Sequence, residues 1–312
     1  MMIALEAGQV EAAARLIKQG VDPKARTTEG ITAAHSAALF GGWGYDAAAR
    51  TKNRRTAVEL LRTISKAGGD LEATDKEGYT PLHYAVMSGH LAAVEFLLAH
   101  DSNPHRPNAK GETALMLSLG SSMDDFAKMK LLLEKGAAID AQNAEGRTTL
   151  MLAARAMQKG ALMYLLRRNA DANVTDKSGA TALSLLAANA KDRAVDARNY
   201  GSMIRALAAV TLSVKQSDAE GMTPLMWTTI SNLPEAVTPL LEKDADIHAR
   251  SRDGRTALMW AACADAEEAA PLLLAHGAEM GAEDKQGRTA LDWAKALDLP
   301  VAKMLEEQTH HR

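Results

Sequence analysis

Apolar residues along this chain recur in short blocks at helical spacing, separated by turn-rich stretches. In EGYTPLHYAVMSGHLAAVEFLLAHDSNP, Leu82, Ala85 and Val86 stand at i, i+3 and i+4 and form one stripe. Thr80 is placed to cap that helix, and Pro81 suits its first position, where a missing N–H costs nothing. Gly89 supplies a left-handed residue that ends it. A second helix follows, with Leu91, Val94, Leu97 and Leu98 on one face. The pattern predicts two short antiparallel helices, then about ten residues of turn-rich chain.

The block repeats. Glycines followed two residues later by threonine occur at Gly30, Gly78, Gly111, Gly146, Gly179, Gly221, Gly254 and Gly287, with spacings of 48, 33, 35, 33, 42, 33 and 33. A period of 33 marks a repeat architecture, in which each unit buries its apolar face against its neighbours. The end of each second helix falls at Gly20, Gly68, Asp101, Gly136, Asn169, Thr211, Asp244 and Gly277. All but Thr211 are residues that tolerate positive φ.

The tetrapeptide Thr80-Pro81-Leu82-His83, the helix-turn-helix-hairpin rhythm and the period together resemble the ankyrin repeat family. The resemblance covers nearly the whole chain: about nine units in one domain over residues 1–312, the first a partial one. It implies an all-α solenoid with short β-hairpin-like loops. It also implies that the histidine of the tetrapeptide links neighbouring units by hydrogen bonds. His gives way to Met116, Met151, Met226 and Met259, to Ser184 and to Asp292, and the methionines predict a softer, apolar seam. Pro239 and Pro271 sit inside second helices, where bending is expected.

Composition agrees with this architecture. Aromatic residues make up 4% of the chain and hydrophobic ones 47%, so the core is built from Ala, Leu, Val and Met. A net charge of -3 offers no global field for nucleic acid, and no apolar run reaches the length of a membrane span. The single cysteine, Cys263, rules out an internal disulfide and a cysteine-based zinc cluster. The expected protein is soluble, with the cytoplasm favoured; a leader removed beforehand is compatible with the same reading.

Two stretches break the period. About fifteen extra residues lie at the turn between two helices, around 42–56, within GGWGYDAAARTKNRR; nine more lie near 190–199. The first carries Trp43, Tyr45, Arg50, Lys52, Arg54 and Arg55 against Asp46, and the second Lys191, Arg193 and Arg198 against two aspartates. One expectation is a basic edge that binds an acidic partner segment. The other is a backward extension of the second helix with its charges in water.

Candidate recognition residues lie on the repeats themselves. Trp227, Trp260 and Trp293 are 33 residues apart on first helices, preceded at the same place by Tyr84, Leu117, Leu152 and Leu185. Such a column either packs between units or presents aromatic anchors. In ankyrin-like proteins the residue after the anchor glycine lies at the hairpin tip and varies with the partner. Here it includes Tyr79, Arg147, Met222, Arg255 and Arg288, side chains expected to be free of structural tasks. Met87, Arg155 and Ile230 would extend the strip.

Catalytic patterns with useful spacing do not occur: neither HExxH, GxSxG, paired CxxC nor a phosphate-binding glycine loop. The expectation is a non-enzymatic module, without cofactor or metal, that binds a protein or peptide in a concave groove. The expected partner has an acidic segment; nucleic acid and membrane insertion are not expected, and the isolated chain is expected to be a monomer. The alternatives are a structural subunit or binding domain of a larger assembly or bacterial effector and, less favoured, a small-ligand or enzymatic site around 42–56.

Overall fold

The computed structural model describes residues 10–40, 47–119, 123–189 and 196–310. Its chain divides into two compact units, residues 1–149 and 150–312. The first holds α1 (Val10–Lys18), α2 (Ala33–Phe40), α3 (Ala47–Lys66), α4 (Pro81–Met87), α5 (Leu91–Ala99), α6 (Ala114–Leu117) and α7 (Met123–Glu134). The second runs from α8 (Thr149–Arg155), at the boundary, through α9 (Lys159–Arg167), α10 (Ala182–Asn189), α11 (Ala197–Val210), α12 (Pro224–Ile230) and α13 (Pro234–Leu241). It ends with α14 (Ala257–Cys263), α15 (Ala269–Ala275), α16 (Ala290–Ala296) and α17 (Val301–His310). No strand occurs among the described residues.

Within each unit the helices form two rows. In the first, α2, α4 and α6 pack side by side, and α1, α3, α5 and α7 form the second row. In the second unit α10, α12, α14 and α16 make one row and α9, α11, α13 and α15 the other. The sequence stripe explains the seam: Leu82, Ala85 and Val86 are buried, as are Val94, Leu97 and Leu98. Small residues such as Ala33, Ala37, Ala261 and Ala262 are fully buried, which lets neighbouring helices pack closely.

The hairpins carry the register. All eight anchor glycines have φ between 74° and 83°. The amide two residues before an anchor donates to the carbonyl just before the preceding anchor: Lys76 to Glu29, Ala109 to Glu77, Ala144 to Lys110, Arg252 to Glu220 and Lys285 to Asp253, at 2.7–3.1 Å. This contact leaves no room for a side chain, since a Cβ on Gly111 would lie 2.7 Å from the Ala144 nitrogen and one on Gly78 2.8 Å from that of Ala109. Gly179 differs. A Cβ there would meet nothing within 4 Å, and among the described residues its hairpin makes no such bond to the next.

Helix ends follow the expected chemistry. Gly20, Gly68, Asp101, Gly136, Asn169, Asp244 and Gly277 all have positive φ, whereas Thr211 turns through φ −73° and ψ 133°. That extended exit leaves Leu212 89% exposed, with its amide bound to Asn173 Oδ1 at 2.7 Å. The first insertion is largely helical: α3 has 20 residues against nine in α5, so the second helix does continue backward. Residues 1–9, 41–46 and 190–195 lie outside the described residues, and with them the stub of the first unit, Trp43, Tyr45 and much of the second insertion. Pro239 is accommodated inside α13, while Pro271 lies in the first turn of α15, where its missing N–H breaks no helical bond.

The tetrapeptide histidines act as caps. His35 Nδ1 meets Thr32 through the amide at 3.1 Å and the hydroxyl at 2.8 Å, while its Nε2 reaches the Tyr79 carbonyl of the next hairpin at 2.9 Å. His83 holds Thr80 in the same way, and its Nε2 faces the carbonyls of Glu112 and Arg106 without a hydrogen bond of full geometry. Burial lowers the His83 pKa to about 4, against the opposing pull of those carbonyls. One side chain departs from its sequence pattern: Lys128, in a charged stretch, is buried at 1% exposure and donates from Nζ to the Val86 carbonyl at 2.6 Å.

Two outcomes follow from this frame. Gly111→Ala should destabilise the protein by roughly 2–4 kcal/mol, combining positive-φ strain with overpacking, whereas Gly179→Ala should cost only the strain, roughly 1–2 kcal/mol. Urea unfolding of both variants checks this. For His83, the folded pKa lies below the unfolded value, so the unfolded chain takes up its proton first. Its contribution is therefore complete above about pH 6.5 and is lost as pH falls toward 4, by up to about 3 kcal/mol. His83→Met, the residue used by sibling units, should flatten that part of the stability–pH curve in thermal unfolding.

Candidate functional site

The tip and first-helix positions converge most closely in the second unit. Each hairpin there is closed by a side chain three residues before the anchor glycine. Asp218 Oδ1 accepts the amides of Glu220 and Met222, and Asp284 Oδ1 those of Gln286 and Arg288, at 2.9–3.0 Å. The other carboxylate oxygen takes the indole N–H of the tryptophan nine residues later: Trp227 at 2.9 Å and Trp293 at 3.0 Å. Asp75 does the same for the Tyr84 hydroxyl, at 2.9 Å, in the first unit. One acidic group thus closes a hairpin and fixes an aromatic ring at once.

All three tryptophans are half-buried, and Trp227 and Trp293 are tethered. Between Trp227 and Trp260 lies a cleft of about 240 Å³. Met222, Trp227, Ile230 and Trp260 give it apolar walls, and Glu220, Ser251, Arg252 and Asp253 a polar rim. Arg252 pairs with Glu220 at 3.1 Å across that rim, an exposed bond worth little to stability.

Beside the cleft, rings and guanidinium groups alternate. Arg255 Cζ lies 4.7 Å from the Trp260 ring centre and 3.9 Å from that of Trp293; Arg288 Cζ lies 3.8 Å from Trp293. Cation–π contacts of this kind are worth about 0.5–2 kcal/mol each. Asp284 also pairs with Arg288, at 3.2 Å. Burial opposes the Asp284 charge, but the amides of Arg288 and Gln286, the Trp293 indole and the Arg288 charge outweigh it and hold the carboxyl at about 2. Cys263 is half-buried nearby; burial pushes its thiol up against the pull of both arginines, so it stays protonated at neutral pH.

Several expectations need correction. The tip residues are not free of structural tasks: Met222 is buried at 4% exposure, and Arg255 and Arg288 lie against indole rings. Tyr79 packs edge-on to His83 and Tyr84, with ring centres 5.8 and 6.2 Å away. The reason is common to all four. A tip side chain points back along the face on which the first-helix aromatic stands, and covering that ring removes apolar surface from water. Arg147 belongs to the first unit, is half-buried and donates its amide to Asn143 Oδ1 at 2.8 Å. Met87 and Arg155 are exposed, as expected. Arg54 and Arg55 lie on α3, with Arg55 exposed.

The carboxylate partners were missed in the sequence, although a signal was present. Asp75, Asp218 and Asp284 each stand nine residues before a Tyr or Trp. Among the described residues no cluster of His, Cys, Asp and Glu is arranged to hold a metal ion, and no helix is long and apolar enough to cross a membrane.

Comparison with known proteins agrees with this frame. The family model described as ankyrin repeats (3 copies) matches residues 45–141, 121–197 and 232–310, more than half of the chain. The chain belongs to the ankyrin-repeat family. Ankyrin repeats serve generally as protein–protein interaction modules.

Curated relatives include the putative palmitoyltransferase ZDHHC13 of Danio rerio, 28% identical over 179 residues, 56% of this chain and 25% of that protein. Neurogenic locus notch homolog protein 1 of Xenopus tropicalis is 27% identical over 169 residues, 54% of this chain and 7% of its own length. An L-asparaginase of Dirofilaria immitis is 27% identical over 157 residues, 40% of this chain and 27% of that protein. The chain thus spans about a quarter or less of these relatives, and their names share no single activity.

Proposed function

We propose that the chain is a non-enzymatic binding module that holds an extended segment of a partner protein across the hairpin tips and first helices of residues 218–293. The observation that carries this reading is the cleft between Trp227 and Trp260. Its walls are apolar, and the Trp227 indole is satisfied from its own hairpin, whereas the Trp260 indole and the adjacent Arg255 Nε are not. Tethering fixes the Trp227 and Trp293 rings before any partner arrives, so binding orders few side chains and loses little entropy. Aromatic rings flanked by arginine are also the side chains that dominate binding energy at protein interfaces.

Peptides selected from a random displayed library on the full chain should bind this face. Ile230→Lys puts a charge at the wall of the cleft and should weaken their binding by about tenfold or more. The helical circular dichroism should not change. Selected peptides that bind Ile230→Lys as tightly as the wild type contradict the placement.

A further inference from the structure

The three hairpins of this face differ in the residue that closes them. Asp218 and Asp284 each present a carboxylate to the tryptophan of their own repeat, and Asp284 also neutralises the arginine that follows its anchor glycine. In the middle repeat the same place is held by Ser251, whose hydroxyl takes only the Arg255 amide, at 3.3 Å. Two donors are left over as a result. The Trp260 indole nitrogen and Arg255 Nε are buried and have no hydrogen-bond partner.

Arg255 thus keeps a full positive charge between two indole rings, while its sibling Arg288 is paired with Asp284. Of its guanidinium nitrogens only Nε is both buried and unpartnered, and the residue as a whole is half-buried. Asp284 is occupied by Arg288 and Trp293 and Glu220 by Arg252, while Asp253, on the cleft rim, forms no ion pair with Arg255. A planar guanidinium over an aromatic ring can still offer its edge to a carboxylate, the geometry that favours paired N–H···O bonds.

We infer that Arg255 reads an acidic residue of the partner: an Asp or Glu side chain pairs with its terminal nitrogens, in the role that Asp284 plays toward Arg288, while a neighbouring apolar side chain of the same segment enters the Trp227–Trp260 cleft. This rests on the binding face proposed above. It narrows the partner to an extended segment carrying an acidic residue next to an apolar one. The pair is charge-assisted and partly desolvated by the flanking rings, so it contributes to affinity where an exposed surface pair would not.

Ser251→Asp separates the possibilities, because it supplies the carboxylate from within. It should raise the thermal unfolding midpoint by about 2–4 °C by satisfying the two sealed donors, and should weaken the library-selected peptides by about tenfold by occupying Arg255. Arg255→Gln should weaken the same peptides to a similar degree. The peptides should share an Asp or Glu whose change to Asn or Gln loses about tenfold on the wild type and nothing further on Arg255→Gln. Peptides that respond to Ile230→Lys but not to these changes overturn the acidic-residue reading and leave the binding face standing. Peptides indifferent to Ile230→Lys overturn both. A lower midpoint for Ser251→Asp overturns the assignment of Arg255 and Trp260 as donors that lack a carboxylate.

Discussion

The structure depends on one close approach: at Gly30, Gly78, Gly111, Gly221 and Gly254 the backbone of the next hairpin lies against the anchor glycine. The chain must turn through positive φ at that glycine and must also leave the space a Cβ would fill, because the next amide sits 2.7 Å from that point at Gly111 and 2.9 Å at Gly221 and Gly254. Only glycine meets both conditions without strain. With the hairpins in register, each threonine two residues on begins a helix at the same height as its sibling, and the alanine- and leucine-rich stripes meet. The 33-residue period is the length of chain that returns to this contact.

The same register turns small sequence differences into recognition. The three repeats anchored at Gly221, Gly254 and Gly287 offer equivalent places: a hairpin-closing residue, a tip residue after the glycine and a ring on the first helix. When the closing residue is Asp, it binds the hairpin amides with one oxygen and the ring donor with the other. Serine in that place closes the hairpin but leaves ring and arginine unmet. A change of one side chain on a fixed backbone thus converts a self-satisfied repeat into one with donors to spare.

Much of this was legible in the sequence, and the limits have a physical cause. Glycine spacing marked the positive-φ turns, and the left-handed ends were readable residue by residue because αL tolerance is a property of single residues; even the exception at Thr211 is real. The backward extension of α3 was one of the two readings that the local helix pattern offered. The tip residues were misjudged because their surroundings come from elsewhere in the chain: Arg255 lies over Trp293, and Met222 shares its cleft with Trp260 in the next repeat. Lys128 escaped for the same reason. Its acceptor is the Val86 carbonyl, 42 residues earlier, and nothing local marks a lysine for burial. Local chemistry survives translation into sequence pattern, the Asp–aromatic pairs nine residues apart within one repeat included, whereas contacts between repeats do not.

Hydrogen exchange of the full chain, with and without a library-selected peptide, tests the central claim most directly. The account predicts added protection confined to the backbone of residues 218–230, 251–263 and 284–296, with the second helices α13 and α15 unchanged. Protection centred on those second helices or on the first unit, with the hairpins of the second unit exchanging as before, would contradict it.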